Sequence, residues 1–278
     1  MRTKNGFLSP PAESAPQRPL PVRSSHTAKR GTVKPELTVI TAAHPGSYQW
    51  LPRAASSLST QRTPLRWIVV ADDEDSSQAQ AALACAPEAV RRSMTVMATG
   101  RRACGAAVAR GIALIEVSTP WIANLDSDDC WLPGGVDFLL GSCLRHGASW
   151  AVGHTINETP EGLVPRPKLA PRTLRPGEFL EQAATVPLPW AQPGLVAKTS
   201  AVIKLGGWPA LPFAEDTALT TALIATTTGR IESETVYQYQ KWPGQTSSDV
   251  DWSYVEHWHG IAVARAHRIA EHIGVLDA

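Results

Sequence analysis

Apolar and polar residues follow two different periods along this chain. Leu37-Thr38-Val39-Ile40-Thr41, Leu65-Arg66-Trp67-Ile68-Val69-Val70, Met94-Thr95-Val96-Met97 and Trp121-Ile122-Ala123-Asn124-Leu125 are short apolar runs rich in β-branched and aromatic residues, the length of buried strands. Helical patterns lie between and after them. They cover residues 48–58, the alanine-rich 76–85, and 103–117, where Val108, Ile112 and Ile115 share one face. Pro133 stands where proline favours the first turn of a helix, and Val136, Leu139, Leu140, Cys143 and Leu144 mark its expected buried stripe. Such alternation predicts an α/β fold: a mostly parallel sheet with helices on both faces. The second half is less regular. Many prolines fall between residues 160 and 193, followed by apolar runs at 194–197 and 231–236, a helix over 217–227 and a C-terminal helix over 254–272.

In sheets of this kind ligands bind beyond the carboxyl ends of the strands. Three such ends carry polar residues: 41–44, 72–75 and 126–129. The last, Asp126-Ser127-Asp128-Asp129, places three carboxylates in four residues directly after a buried-type strand. An acidic turn capping the next helix is one reading, since Asp favours turns and N-caps. The other is a hard cation: magnesium or manganese takes one or two protein carboxylates together with substrate phosphates.

Composition narrows the classes. The chain has 278 residues, 43% of them hydrophobic and 18% charged, with a formal net charge of +1. That length suits one large α/β domain, and near-neutrality argues against nucleic-acid binding as its main business. No run approaches the ~18 apolar residues of a membrane span, and the first residues show no secretory pattern. Residues 1–34 read as a flexible tail rich in Pro, Ser and Arg. The four cysteines, 85, 104, 130 and 143, lack zinc spacing and read as reduced thiols of a cytoplasmic protein, with Cys104 and Cys143 packed in helices.

Five motifs in order resemble those of family 2 glycosyltransferases with the GT-A fold, over roughly residues 36–248. They are Thr41-Ala42-Ala43-His44; Val69-Val70-Ala71-Asp72-Asp73; Gly105 to Gly111 with Ala107 and Arg110; Leu125-Asp126-Ser127-Asp128-Asp129 with Trp131 and Pro133; and Phe213-Ala214-Glu215-Asp216 with Leu219. The second motif departs from the family's Asp-Asp-Gly-Ser by carrying Glu74 and Asp75.

The resemblance implies a single domain over 35–278, with a donor half (35–133), an acceptor half (134–248) and a C-terminal helix (249–278). It implies an inverting, metal-dependent transfer of one sugar from a nucleotide diphosphate, a UDP-sugar, to a hydroxyl on a small molecule or glycan. Donor contacts would come from Thr41, Ala43, Asp72, Asp73, Arg101 with the adjacent Arg102, Asp126, Ser127 and Asp128. Asp128 would ligate Mn2+ or Mg2+ directly, and Asp126 would act through the ribose or a metal-bound water. Asp216 would be the general base, with Glu215 contacting the acceptor or holding the loop. His257 is a further candidate metal ligand. Gln238-Tyr239-Gln240-Lys241-Trp242 resembles a Lys variant of the Gln-x-x-Arg-Trp signature of processive synthases. Trp190, Trp208, Lys241 and Trp242 would lie on the acceptor side, although most of the ten tryptophans suit packing.

Two other classes compete. A nucleotidyltransferase of similar sheet architecture would carry a Gly-rich, basic loop after its first strand, where this chain has Ala42-Ala43-His44-Pro45-Gly46. A non-catalytic nucleotide-sugar-binding protein would not need Glu215-Asp216 beside an intact acidic cluster.

Overall fold

The computed structural model describes residues 36–183, 193–243, 245 and 250–274. Trp190 and the expected tail over 1–34 lie outside them.

Ten strands form one sheet: β1 Leu37–Ala43, β2 Leu65–Ala71, β3 Met94–Ala98, β4 Trp121–Asn124, β5 Cys130–Trp131, β6 Trp150–Thr159, β7 Gly162–Pro165, β8 Arg172–Leu174, β9 Leu195–Lys198 and β10 Gly229–Gln240. The helices are α1 Leu51–Leu58, α2 Ser77–Ala82, α3 Glu88–Arg91, α4 Ala106–Ile115, α5 Gly135–His146, α6 Leu180–Ala183, α7 Thr199–Lys204, α8 Glu215–Thr226 and α9 Trp252–His272. The spatial order is β3-β2-β1-β4-β9-β6-β10-β5, with β7 on β6 and β8 on β10.

The first four strands in that order are parallel. β9 then runs antiparallel to both β4 and β6, and β10 runs parallel to β6. Two reversals restore the original direction, so β1, β2, β4, β6 and β10 all end at the same edge of the sheet. Alternate residues feed opposite faces, as strand pleating requires. Val39, Trp67 and Val69 join one core with α1 and α5, and Ile40, Ile68 and Val70 join the other with α4 and α8. Gly229 sits opposite Trp150, and a Cβ there would approach the indole to 2.0 Å. Glycine is therefore what lets β10 close on β6.

Several elements differ from the sequence reading. On α4 the buried side chains are Ala107, Ala109, Arg110 and Ala113, whereas Val108 is 38% and Ile115 81% exposed. The helix packs closely through its small residues, and only Ile112 of the expected stripe lies against the core. Leu144 is likewise exposed, at the end of α5. Pro133 precedes that helix rather than opening it, because Gly134 takes the N-cap with φ of +71°. The helix expected over 48–58 begins as a 3-10 turn over Pro45–Trp50. Cys143 is buried in α5, but Cys104 lies in the turn before α4; both are free thiols. No helix among the described residues is long and apolar enough to cross a membrane.

Candidate active site

The loops after β1, β2 and β4 meet at the common edge. The two carboxylates after β2 do different work. Asp72 accepts the backbone N–H groups of Cys104 (2.8 Å) and Gly105 (2.9 Å), one on each carboxylate oxygen. It pins the turn that launches α4. Asp73 accepts from Arg102 Nε at 2.7 Å, and that hydrogen bond, reinforced by the Glu74 N–H, holds its carboxyl below the usual carboxylate range. The basic partner is thus Arg102, while Arg101 is exposed and presents its backbone carbonyl to Thr99. Beside Asp73, burial and then the Asp73 charge push the Tyr48 phenol up to about 12. Ala43 ends β1, and its carbonyl accepts the Asp72 N–H at 2.7 Å. Thr41 is fully buried, and its hydroxyl accepts Trp67 Nε1 at 2.8 Å. The Thr41 side chain, expected among the donor contacts, thus lies in the sheet interior.

The acidic cluster is held from four sides. Asp126 donates its backbone N–H to the Tyr237 hydroxyl at 3.0 Å and accepts Arg110 at 2.7 Å on Oδ1. Burial raises its pKa, opposed by Arg110 and assisted by Asp128. Ser127 donates its hydroxyl to Ser47 at 2.8 Å. Asp128 accepts Trp242 Nε1 at 2.8 Å and Gln245 Nε2 at 3.5 Å, both on Oδ2. Its Oδ1 has no partner among the described residues. Asp129 is buried and accepts the Gln240 N–H at 2.8 Å; burial, then Asp128 and Asp126, push its pKa well above the ordinary value.

Arg110 joins this cluster to the second acidic motif. Its side chain is 4% exposed and pairs with both Asp126 and Glu215. Burial acts to lower its pKa, but the Asp126 and Glu215 charges overcome that and keep it charged. Glu215 and Asp216 open α8, whose N-cap is Ala214 in a left-handed conformation with φ of +62°. Asp216 is therefore the second helical residue and not the cap. It accepts the Thr217 N–H at 2.6 Å and the Thr217 hydroxyl at 3.4 Å, both on Oδ1. Burial, followed by the Glu215 charge, pushes Asp216 up to about 7.

The remaining candidates scatter. Trp208 is buried in a core cluster, so it packs instead of forming an acceptor platform. Trp242 lies 6.1 Å from Trp50, ring centre to ring centre, with its N–H committed to Asp128. Lys241 is exposed beyond β10. His257 is exposed on α9 with its ring against the Trp258 edge. Among the described residues no three His, Cys, Asp or Glu side chains converge as a metal cage. A cage is not required of magnesium or manganese, which take one or two carboxylates and complete their shell from substrate phosphate. Asp128, with one unengaged oxygen, fits that role.

Sequence reasoning placed Arg110 in the third motif without giving it a role, and missed Tyr237. A lone arginine in the small-residue run Ala106-Ala107-Val108-Ala109 was the available signal, since a buried cation needs carboxylate partners. Tyr237 carried none.

Comparison with known proteins identifies the family and the fold. A family profile described as Glycosyl transferase family 2 matches residues 38–190, more than half of the chain. The chain belongs to glycosyltransferase family 2. Among solved structures it resembles S. aureus TarS 1-349 in complex with UDP-GlcNAc, with a TM-score of 0.64 and 16% identity over 85% of this chain and 71% of that one. The same TarS fragment with UDP gives a TM-score of 0.59 and 16% identity, covering 85% and 70%. At that identity the likeness establishes a shared GT-A fold. No curated protein matches the chain.

The family membership makes this chain a glycosyltransferase. The common edge brings together Asp73, the 126–129 cluster and, through Arg110, the Glu215-Asp216 turn. The carboxylates of this network contrast in acidity: Asp73 is held ionised and Asp216 is poised near neutrality.

Proposed function

We propose that the enzyme transfers a single sugar, with inversion, from a uridine diphosphate sugar to an acceptor hydroxyl, with Asp216 as general base. The observation that carries this reading is the Arg110 bridge between Asp126 and Glu215. It ties the loop suited to a diphosphate to the turn that bears the carboxylate of about neutral pKa. TarS, the fold neighbour, was solved with UDP-GlcNAc and with UDP, which supports a uridine donor.

Asp73 accepts the imide N–H of uracil, a role an ionised carboxylate fills well. Asp128 would hold Mn2+ or Mg2+ through the oxygen that Trp242 leaves unengaged, while Trp242 steadies the other. A cation held there would supply positive charge against the diphosphate leaving group. Asp126, fixed by Arg110, would contact the ribose or a water of the cation's shell. Asp216 uses Oδ1 on its own helix and keeps Oδ2 for the acceptor proton. A base effective at neutral pH has a pKa near the working pH, which burial provides here.

The test is release of UDP from UDP-sugars in the presence of manganese and candidate acceptors, for wild type, Asp216→Asn and Asp128→Ala. Transfer that persists in Asp216→Asn overturns the base assignment. Metal-dependent UDP binding undiminished in Asp128→Ala overturns the ligand assignment.

A further inference from the structure

Arg166 follows β7, which runs back antiparallel along β6, and so lies beside Thr155 in the second half of that strand. Its N–H donates to the Thr155 carbonyl at 3.3 Å, and its Nε donates to Asn157 Oδ1 at 3.1 Å. Its guanidinium lies over the Tyr239 ring, 5.6 Å from the centroid. Asn157 and Tyr239 are register partners on β6 and β10, so two strands fix the group. The two terminal nitrogens have no hydrogen-bond partner among the described residues, and no carboxylate lies within ion-pair distance. Arg166 is half-buried, and burial holds its pKa below the ordinary guanidinium value against the pull of Tyr239 and Asp129. Arg53, Arg66, Arg110 and Arg230, also packed against the sheet, each have a carboxylate. A partly desolvated cation with unspent forked donors is costly unless an anion completes it.

The surroundings say which anion. The Tyr239 hydroxyl accepts Gln245 Nε2 at 2.9 Å, and the same amide reaches Asp128 Oδ2 at 3.5 Å. Arg166 is therefore two side chains from the proposed metal carboxylate. It lies on the β6-β10 side of it, whereas Asp73 lies on the opposite side at the end of β2. A donor stretched from Asp73 to Asp128 places its sugar, and the acceptor behind it, toward Arg166. We propose that Arg166 is a specificity residue that binds a carboxylate or phosphate group carried on the sugar side of the diphosphate, either by the acceptor or by the transferred sugar. This rests on the donor orientation given above.

Calorimetric titration of the full chain with manganese separates the two sources. Glucose 6-phosphate is compared with glucose, with and without UDP, and UDP-glucuronate with UDP-glucose. The expected result is a preference of about tenfold or more for the charged member of one pair, the size of a charge-assisted hydrogen bond. The preference disappears in Arg166→Gln, survives in part in Arg166→Lys, and leaves the affinity for UDP itself unchanged. A preference within the first pair assigns the anion to the acceptor, and within the second to the transferred sugar. Equal binding, or none, for both pairs overturns the proposal, as does a preference that survives Arg166→Gln. A matching fall in UDP affinity also overturns it, because the anion is then the diphosphate. Failure of wild type to bind UDP counts against the donor site and leaves the glucose 6-phosphate comparison, made without UDP, to judge Arg166.

Discussion

The parallel half of the sheet and the mixed half contribute to the site by different means. In the parallel half, β1, β2 and β4 deliver polar residues directly from strand to loop, and local backbone contacts fix them. Asp72 clamps the Cys104 and Gly105 amides, and Asp73 takes Arg102 from the neighbouring loop. In the mixed half, the groups that serve the site arrive across long chain separations. Tyr237 meets Asp126, Gln240 meets Asp129, and Trp242 meets Asp128. The first half presents the acidic loop, and the second half sets its shape and charge. Arg110 and Asp216 stand at the joint, and perturbing them tests the division most severely.

The largest effect is expected at Asp216. Asp216→Asn should lower kcat by about 10²–10⁴-fold, the usual worth of general-base catalysis, with UDP affinity retained. In wild type, kcat should rise with pH until Asp216 ionises at about 7 and then level off. Stability should move the opposite way. The folded pKa lies above the unfolded value of about 3.9, so the folded state binds the extra proton between them. Stability from this group is then lost as pH climbs from about 4 toward 7. Thermal unfolding of Asp216→Asn should gain on wild type over that window. A pH-independent difference between the two would show that Asp216 is not buried as described.

Next in size is Arg110→Ala, which leaves the Asp126 and Glu215 carboxylates facing each other without a cation. Removing one partner of a buried ion pair costs about 3–5 kcal/mol, read as a lower urea midpoint. If the halves depend on this joint, transfer should fail even where the variant remains folded. Undiminished transfer by a folded variant would mean that each half holds its own carboxylates.

The two halves also differ in how legible they were. β1, β2 and β4 are largely buried on both faces, β3 at the edge is half-buried, and all four are short, mostly apolar runs that stand out in the sequence. The five ordered motifs located the acidic residues. Long-range partners were not legible, because contact between Trp242 and Asp128 or Tyr237 and Asp126 depends on how β10 enters the sheet. β6 was missed: Trp150 to Thr159 mixes His154, Thr155 and Asn157 among apolar residues, and its buried polar groups look like a loop until the strands beside it are placed. The expected stripe on α4 failed for a related reason. Periodicity favoured Val108 and Ile115, but the sheet approaches too closely for them, and alanines take the contact.

The Trp242 contact should have a smaller effect, one that sharpens the comparison. Trp242→Phe keeps the ring and deletes the N–H that holds Asp128 Oδ2. Loss of a hydrogen bond to a metal ligand typically lowers metal affinity by about 10–100-fold. Manganese activation curves should shift accordingly, while the temperature of unfolding without metal stays near that of wild type. If the curve does not move, the mixed half does not tune the proposed metal carboxylate.

The smallest effect is expected at His257. The residue is exposed on α9, and its ring contact is with Trp258 on its own helix. Exposed substitutions away from packed or charged networks usually change stability by less than about 0.5 kcal/mol. His257→Ala should therefore leave both stability and the manganese activation curve within about twofold of wild type, the same limit expressed as a ratio. A clear rightward shift of that curve would bring α9 into the metal site. The mixed half would then supply a ligand as well as support, and the division between a half that presents chemistry and a half that shapes it would fail.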